Sequence, residues 1–159
     1  MKQLNSELEA GASVHDLIIR PHHTALSVED FEAARIFFTD VIGMRLEREI
    51  DYRDESDLGV VVGLPGAVIR WAFLEMGGYR IELFKYYSPA GTRHPTRQCD
   101  IGLTHICFQV RDANETYRRL VAAGHKTMSA PRELRGGQSV PFYLIGPDEI
   151  VVEFLELRS

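Results

Sequence analysis

HHTALSVEDFEAARIFFTDVIGM at residues 22–44 and THICFQVRDANETYRRLVAAGHK at residues 104–126 share one layout, a strand that opens on histidine and runs into a helix. His23 falls on His105, Val28 on Val110 and Asp30 on Asp112 at a constant offset of 82 residues, and Gly43 falls on Gly124 with one residue less. In the first helix Phe31, Ala34, Phe38, Val41 and Ile42 share a face; in the second Ala113, Tyr117, Leu120 and Val121 do. Asp112 with Glu115 three residues on resembles a capping box, and the glycine after each helix suits a left-handed C-terminal cap.

Further strands follow each helix. In the first half they are read at 45–50, 68–76 and 79–85, with Gly77-Gly78 as a tight hairpin. In the second half a strand beginning within 126–129 precedes two at 140–145 and 150–155, joined by the turn signal GPDE. The predicted organisation is an N-terminal arm (1–18), a first β-α-β-β-β module (19–86), a linker carrying Pro89 and Pro95 (87–101) and a second module (102–159). The fold class is α+β.

Side chains alternate along a strand, so His23, Ala25 and Ser27 share one face while Thr24, Leu26 and Val28 share the other, which packs the helix. His105, Cys107 and Gln109 repeat this. In the last strand of each half, Glu82 stands among Ile81 and Leu83, and Glu153 among Val152 and Phe154. A half-buried carboxylate without a partner costs several kcal/mol, so each strand needs a reason to carry one. A lone strand histidine is usually a packing residue, but here each module supplies histidine on its first strand and glutamate on its last, all on the face away from the helices. The pattern assigns His23, Glu82, His105 and Glu153 to one divalent-metal site. His22 is expected to point the other way by alternation, and His15, His94 and His125 to lie on the surface.

HTALSVEDFEAARIFFTDVIGM, YRIELFKY, THICFQVRD and GPDEIVVEFLE together resemble the vicinal oxygen chelate superfamily, which includes glyoxalase I, methylmalonyl-CoA epimerase, bleomycin- and fosfomycin-resistance proteins and extradiol dioxygenases. The resemblance covers the chain from about residue 20 onward. It implies two β-α-β-β-β modules whose curved mixed sheets form a cup around one metal, helices outside, often within a homodimer; the sequence does not choose between a cup closed within one chain and one closed between two. The family's ligand positions match the same four residues.

Two imidazoles and two carboxylates suit Zn, Ni, Co, Mn or Fe(II) rather than calcium. Such an ion polarises a carbonyl and stabilises the enediolate left when the neighbouring proton departs. The resemblance to glyoxalase I suggests Glu82 or Glu153 as the base, with Glu153 slightly favoured. The expected activity is therefore that of a metal-dependent isomerase, epimerase or lyase. An Fe(II) ring-cleaving dioxygenase is the alternative, disfavoured because such enzymes use two histidines and one carboxylate. A non-catalytic drug-binding protein is another. Arg70, Arg80, Trp71 and Phe142 are candidate contacts to a carbonyl or thioester substrate, and Glu49 a candidate second acid. One of the segments 51–65 and 132–138 is expected to cover the cup.

Composition sets the outer bounds. A chain of 159 residues with 45% hydrophobic and 26% charged residues is ordinarily globular. A net charge of −5 without a basic cluster argues against nucleic acid. No apolar run approaches the ~20 residues of a membrane span. The start shows no secretory pattern, so the cytoplasm is the default compartment. Cys99 and Cys107 are too close to close a useful loop and form no CxxC.

Overall fold

A computed structural model describes residues 14–54, 56–94 and 97–158. The first thirteen residues of the arm and Pro95 of the linker lie outside these. The first module comprises β1 (Thr24–Ser27), α1 (Phe31–Ile36), β2 (Arg45–Asp54), α2 (Ser56–Val61), β3 (Val68–Met76) and β4 (Tyr79–Ser88). The second comprises β5 (Ile106–Val110), α3 (Ala113–Ala122), β6 (Lys126–Thr127), β7 (Ser139–Ile145) and β8 (Val151–Leu157). Each module folds into one four-stranded mixed sheet, ordered β1-β4-β3-β2 and β5-β8-β7-β6. The first strand runs parallel to the last, and the other pairs are antiparallel. The α+β repeat read from the sequence is the architecture of the protein.

Local chemistry fixes the element ends. Asp30 and Asp112 cap α1 and α3, their carboxylates accepting from Ala33 N at 3.0 Å and Glu115 N at 2.8 Å. Gly43 and Gly124 take φ of +88° and +89°, the left-handed conformation that ends each helix. Gly77 and Gly78 also have positive φ, as the two-residue hairpin between β3 and β4 requires.

Three elements differ from expectation. Beyond Ile36 the first helix continues as a π-turn over Phe37–Val41, with Ile42 N donating to Phe37 O at 3.0 Å. The wider winding brings both Phe37 and Phe38 into the core and turns Val41 outward. β2 runs to Asp54 because its backbone follows β3, with Arg53 opposite Ile69 and Asp54 opposite Val68. Its exposed side chains gave the hydropathy pattern nothing to mark. The rest of the 51–65 segment holds α2, and β4 extends into the expected linker as far as Ser88.

The helix-facing side chains of both sheets join one core. Leu26, Phe31, Phe38, Leu74, Ile81 and Leu83 from the first module meet Ile106, Leu120, Phe142, Leu144, Val152 and Phe154 from the second. Burial of such side chains contributes roughly 1.5–3 kcal/mol each, so this is the dominant stabilising surface. A polar latch spans the same boundary. The Asp148 carboxylate accepts from Glu29 N at 2.7 Å and Asp30 N at 3.0 Å, and Arg93 bridges Asp148 and Glu29. Within one chain the modules thus dock through their helix-bearing sides, and their other faces stay open. No helix among the described residues is long and apolar enough to cross a membrane.

Candidate metal centre

Strand register builds two equivalent half-sites on the open faces. In the first module Glu82 lies opposite Ala25 on one side and Phe73 on the other. In the second, Glu153 lies opposite Cys107 and Tyr143. The histidine before each first strand turns back over its glutamate: His23 Nε2 is 3.0 Å from Glu82 Oε2, and His105 Nε2 is 3.3 Å from Glu153 Oε2. Phe73 meets the His23 ring edge-on at 5.4 Å, and Tyr143 meets His105 likewise at 5.3 Å. The glutamate side chains are only 13% and 14% exposed.

The far side of each imidazole is also held. Gln98 Nε2 donates to Thr104 O at 3.0 Å, which turns its amide oxygen toward His105 Nδ1 at 3.1 Å. The Thr104 hydroxyl stands at the same 3.1 Å from Nδ1, so two polar groups brace the far side of the ring. On the near side Nε2 and the Glu153 carboxylate are placed to share either a proton or a metal cation. His23 Nδ1 is 2.8 Å from His22 Nδ1, and His22 also packs on Phe73. His22 therefore joins the site instead of pointing away, because alternation begins only at Thr24, where the ladder starts.

The two glutamates differ in what surrounds them. Burial among apolar neighbours raises the Glu82 carboxyl above its ordinary range, opposed only by His23. Glu153 has polar neighbours instead, Cys107 and Tyr143 standing opposite it on the two flanking strands. Burial, with the Glu153 hydrogen bond and charge adding to it, pushes the Cys107 thiol up to about 12. Burial and the same carboxylate raise Tyr143. Tyr143 and Cys107 were not among the sequence candidates. Counting alternation on β7 from Tyr143 beside Glu153, as on β3 from Phe73 beside Glu82, is the signal that finds Tyr143.

The remaining candidates divide by face. Trp71 lies on the open face, in contact with Phe73 at 5.3 Å. Arg80 is there too but is paired with Glu47 at 2.7 Å. Arg70 lies on the opposite, helix-bearing side, its guanidinium over the Phe31 ring and bonded to Glu49 and Glu32. That placement removes both Arg70 and Glu49 from the open face. Phe142 is 1% exposed, stacked on Phe154 at 5.1 Å with Tyr117 against its edge, and is a core residue rather than a substrate contact.

One expectation concerns convergence. Among the described residues of a single chain, no group of three or more His, Cys, Asp or Glu side chains is placed to hold a metal ion. The chain brings His23 to Glu82 and His105 to Glu153, but it does not bring the two pairs together.

The family model described as Glyoxalase/Bleomycin resistance protein/Dioxygenase superfamily matches residues 20–154, the span of both sheets. The chain belongs to this superfamily. Among its relatives, an ethylmalonyl-CoA/methylmalonyl-CoA epimerase from Cereibacter sphaeroides is 26% identical over 90% of this chain and 99% of its own. A lactoylglutathione lyase from Neisseria meningitidis is 27% identical over 86% and 90%. A glyoxalase family protein from Bacillus cereus shares the fold at a TM-score of 0.80 and 22% identity, over 93% of this chain and 100% of its own. Superfamily membership is thus fixed, and its members include epimerases and lyases.

Proposed function

We propose that this protein is a metal-dependent isomerase, epimerase or lyase of the glyoxalase type, which moves a proton at the carbon beside a substrate carbonyl. The observation that carries the reading is one pairing repeated in both modules, His23 Nε2 beside the Glu82 carboxylate and His105 Nε2 beside the Glu153 carboxylate. The donor set fits a divalent ion such as Zn, Ni, Co, Mn or Fe(II): two imidazoles and two carboxylates, each imidazole braced from behind. Because one chain keeps the pairs apart, His23 and Glu82 of one protomer would join His105 of the partner subunit and Glu153 of the partner subunit in a homodimer with two centres.

When bound, the ion would supply a positive charge that polarises the substrate carbonyl. The chain's residues divide the remaining work. Glu153, flanked by the polar Tyr143 and Cys107, would serve as the holding ligand. Glu82, with Ala25 and Phe73 beside it and no hydroxyl or thiol donor, would be the carboxylate free to take the proton from substrate carbon and return it. This reverses the slight preference for Glu153 drawn from the sequence. The aromatic floor of Phe73, Trp71 and Phe84 would exclude water from the carbon that loses the proton.

The test uses two variants that each destroy one half-site. His23→Ala and His105→Ala proteins should each lose tight metal binding. Refolded together, they should form hybrid dimers that regain one intact centre each. A mixture as poor in metal as its parents would sink the shared centre. For the reaction, metal-loaded protein should exchange a substrate α-proton with deuterated solvent for some member of a thioester, hemithioacetal and hydroxy-ketone panel. Tight ligand binding without exchange would replace the enzyme by a binding protein, and oxygen uptake with a catechol by the Fe(II) form would replace proton transfer by ring cleavage.

A further inference from the structure

One row of the first sheet joins Glu82 on β4, Phe73 on β3 and Arg48 on β2, in register with one another. Neighbouring strands stand ~4.8 Å apart, so Arg48 lies roughly 10 Å across the face from Glu82. The Arg48 guanidinium sits over the Trp71 ring, 5.4 Å from its centroid, and Trp71 meets Phe73. His23 closes the other end of this aromatic track. The next row adds Phe84 beside Trp71, with Tyr86 stacked on Phe84 at 5.7 Å.

Arg48 differs from Arg35, Arg45, Arg70 and Arg80, each of which is ion-paired. Its two acidic neighbours in the sequence are already engaged. Glu47 pairs with Arg80 and Arg45, and Glu49 is held by Arg70 on the far side of the sheet. Among the described residues Arg48 has no carboxylate within ion-pairing distance, and the Trp71 ring is its recorded contact. A guanidinium fixed by stacking, with its N–H edge free, matches a carboxylate in two parallel hydrogen bonds. The second module offers no such feature. Pro141, Tyr143 and Leu155 occupy the corresponding face positions, and β6 pairs over only two residues.

Resting on the reading of the half-sites as a metal centre, we propose that the substrate is a carboxylate-bearing carbonyl compound with a flat or aromatic body. Its vicinal oxygens are held at the His23–Glu82 end, its ring lies on Phe73 and Trp71, and its carboxylate meets Arg48. Cation–π stacking on Trp71 orients the guanidinium before the ligand arrives, so little side-chain freedom is lost on binding.

Two hydroxamates test this, because a hydroxamate presents two vicinal oxygens to a metal. Benzohydroxamate supplies the flat ring alone, and 4-carboxybenzohydroxamate adds a carboxylate one ring away. Trp71 is the only tryptophan in the chain, so its emission reports arrival of either ligand on this face. With Zn-loaded protein, calorimetry should show 4-carboxybenzohydroxamate binding about tenfold or more tighter than benzohydroxamate. Both should quench Trp71. In Arg48→Gln the ratio of the two affinities should fall to about one, and in Arg48→Lys it should be only partly kept. Equal affinities in the unaltered protein, or a ratio that survives Arg48→Gln, would overturn the assignment of the carboxylate. Calorimetric binding that leaves Trp71 emission unchanged would mean that another surface, such as a second protomer, covers this face, and would overturn it as well. If neither hydroxamate binds more tightly with Zn than without, the metal centre itself is refuted, an outcome distinct from the other two.

Discussion

The two half-sites are built from the same positions, and they are unlike where it matters. Both place a histidine over a glutamate, with an aromatic ring from the neighbouring strand against the imidazole. In the first module the residues flanking the glutamate are Ala25 and Phe73; in the second they are Cys107 and Tyr143. A hydroxyl and a thiol beside one carboxylate can favour its charged form, and a methyl group and a phenyl ring beside the other cannot. The two modules share one frame, and in the proposed reaction the residues beside the glutamates would divide holding from reacting.

The contrast breaks most sharply at the glutamates. Glu82→Gln should lower solvent exchange of the substrate α-proton by about 10²- to 10⁴-fold, the usual range for loss of a general base. Glu153→Gln should act chiefly through metal content. Exchange abolished by Glu153→Gln at full metal loading, with Glu82→Gln still active, would invert the roles.

Behind the histidines the effect should be smaller. Gln98→Leu removes an amide that braces the His105 ring at Nδ1, so metal affinity should fall about 10- to 100-fold. The loss should shrink in Gln98→Asn if the shorter amide still reaches. His22→Ala probes the other half-site, and competition with a chromophoric chelator measures both. Unaltered affinity in Gln98→Leu would show that this bond does not support the site.

The smallest expected effect lies just past the ligands. Position 85 on β4 corresponds to position 156 on β8, and the modules fill it with opposite charges. Lys85 Nζ donates to Glu29 O, whereas the Glu156 carboxylate accepts from Ala113 N at 2.8 Å at the start of α3. That backbone bond, and Arg158 beside it, hold the Glu156 carboxyl below its ordinary range. A depressed folded-state pKa contributes stability above the unfolded value of 4.5, and the contribution fades as pH falls through the folded value. Glu156→Gln should therefore lower the Tm near neutrality by a few degrees and flatten its decline under acid. A parallel decline in the variant would show that the bond carries no linkage.

Much of this is legible in the chain itself. The offset between His23 and His105 gives the repeat, alternation gives the two faces of each sheet, and Asp30, Asp112, Gly43 and Gly124 mark the helix ends. Other features escape for physical reasons. The π-turn at Phe37–Val41 changes which residues face inward without changing composition. Trp71 and Phe142 are both strand aromatics, yet one lies on the open face and one in the shared core, which only the pairing of β3 and β7 separates.

The sequence by itself determined that each module carries a glutamate on the face of its last strand away from the helix, because period-two alternation within a strand is local geometry. The histidines lie just before the ladders, which is why His22 escaped the count. Tertiary structure decided that the helix-bearing sides of both modules meet within one chain, leaving the two His–Glu pairs apart on open faces. Docking of two sheets depends on the fit of side-chain surfaces, which has no period to read. It also decided which glutamate has polar neighbours and which arginine lies over Trp71, since both depend on partners supplied from neighbouring strands.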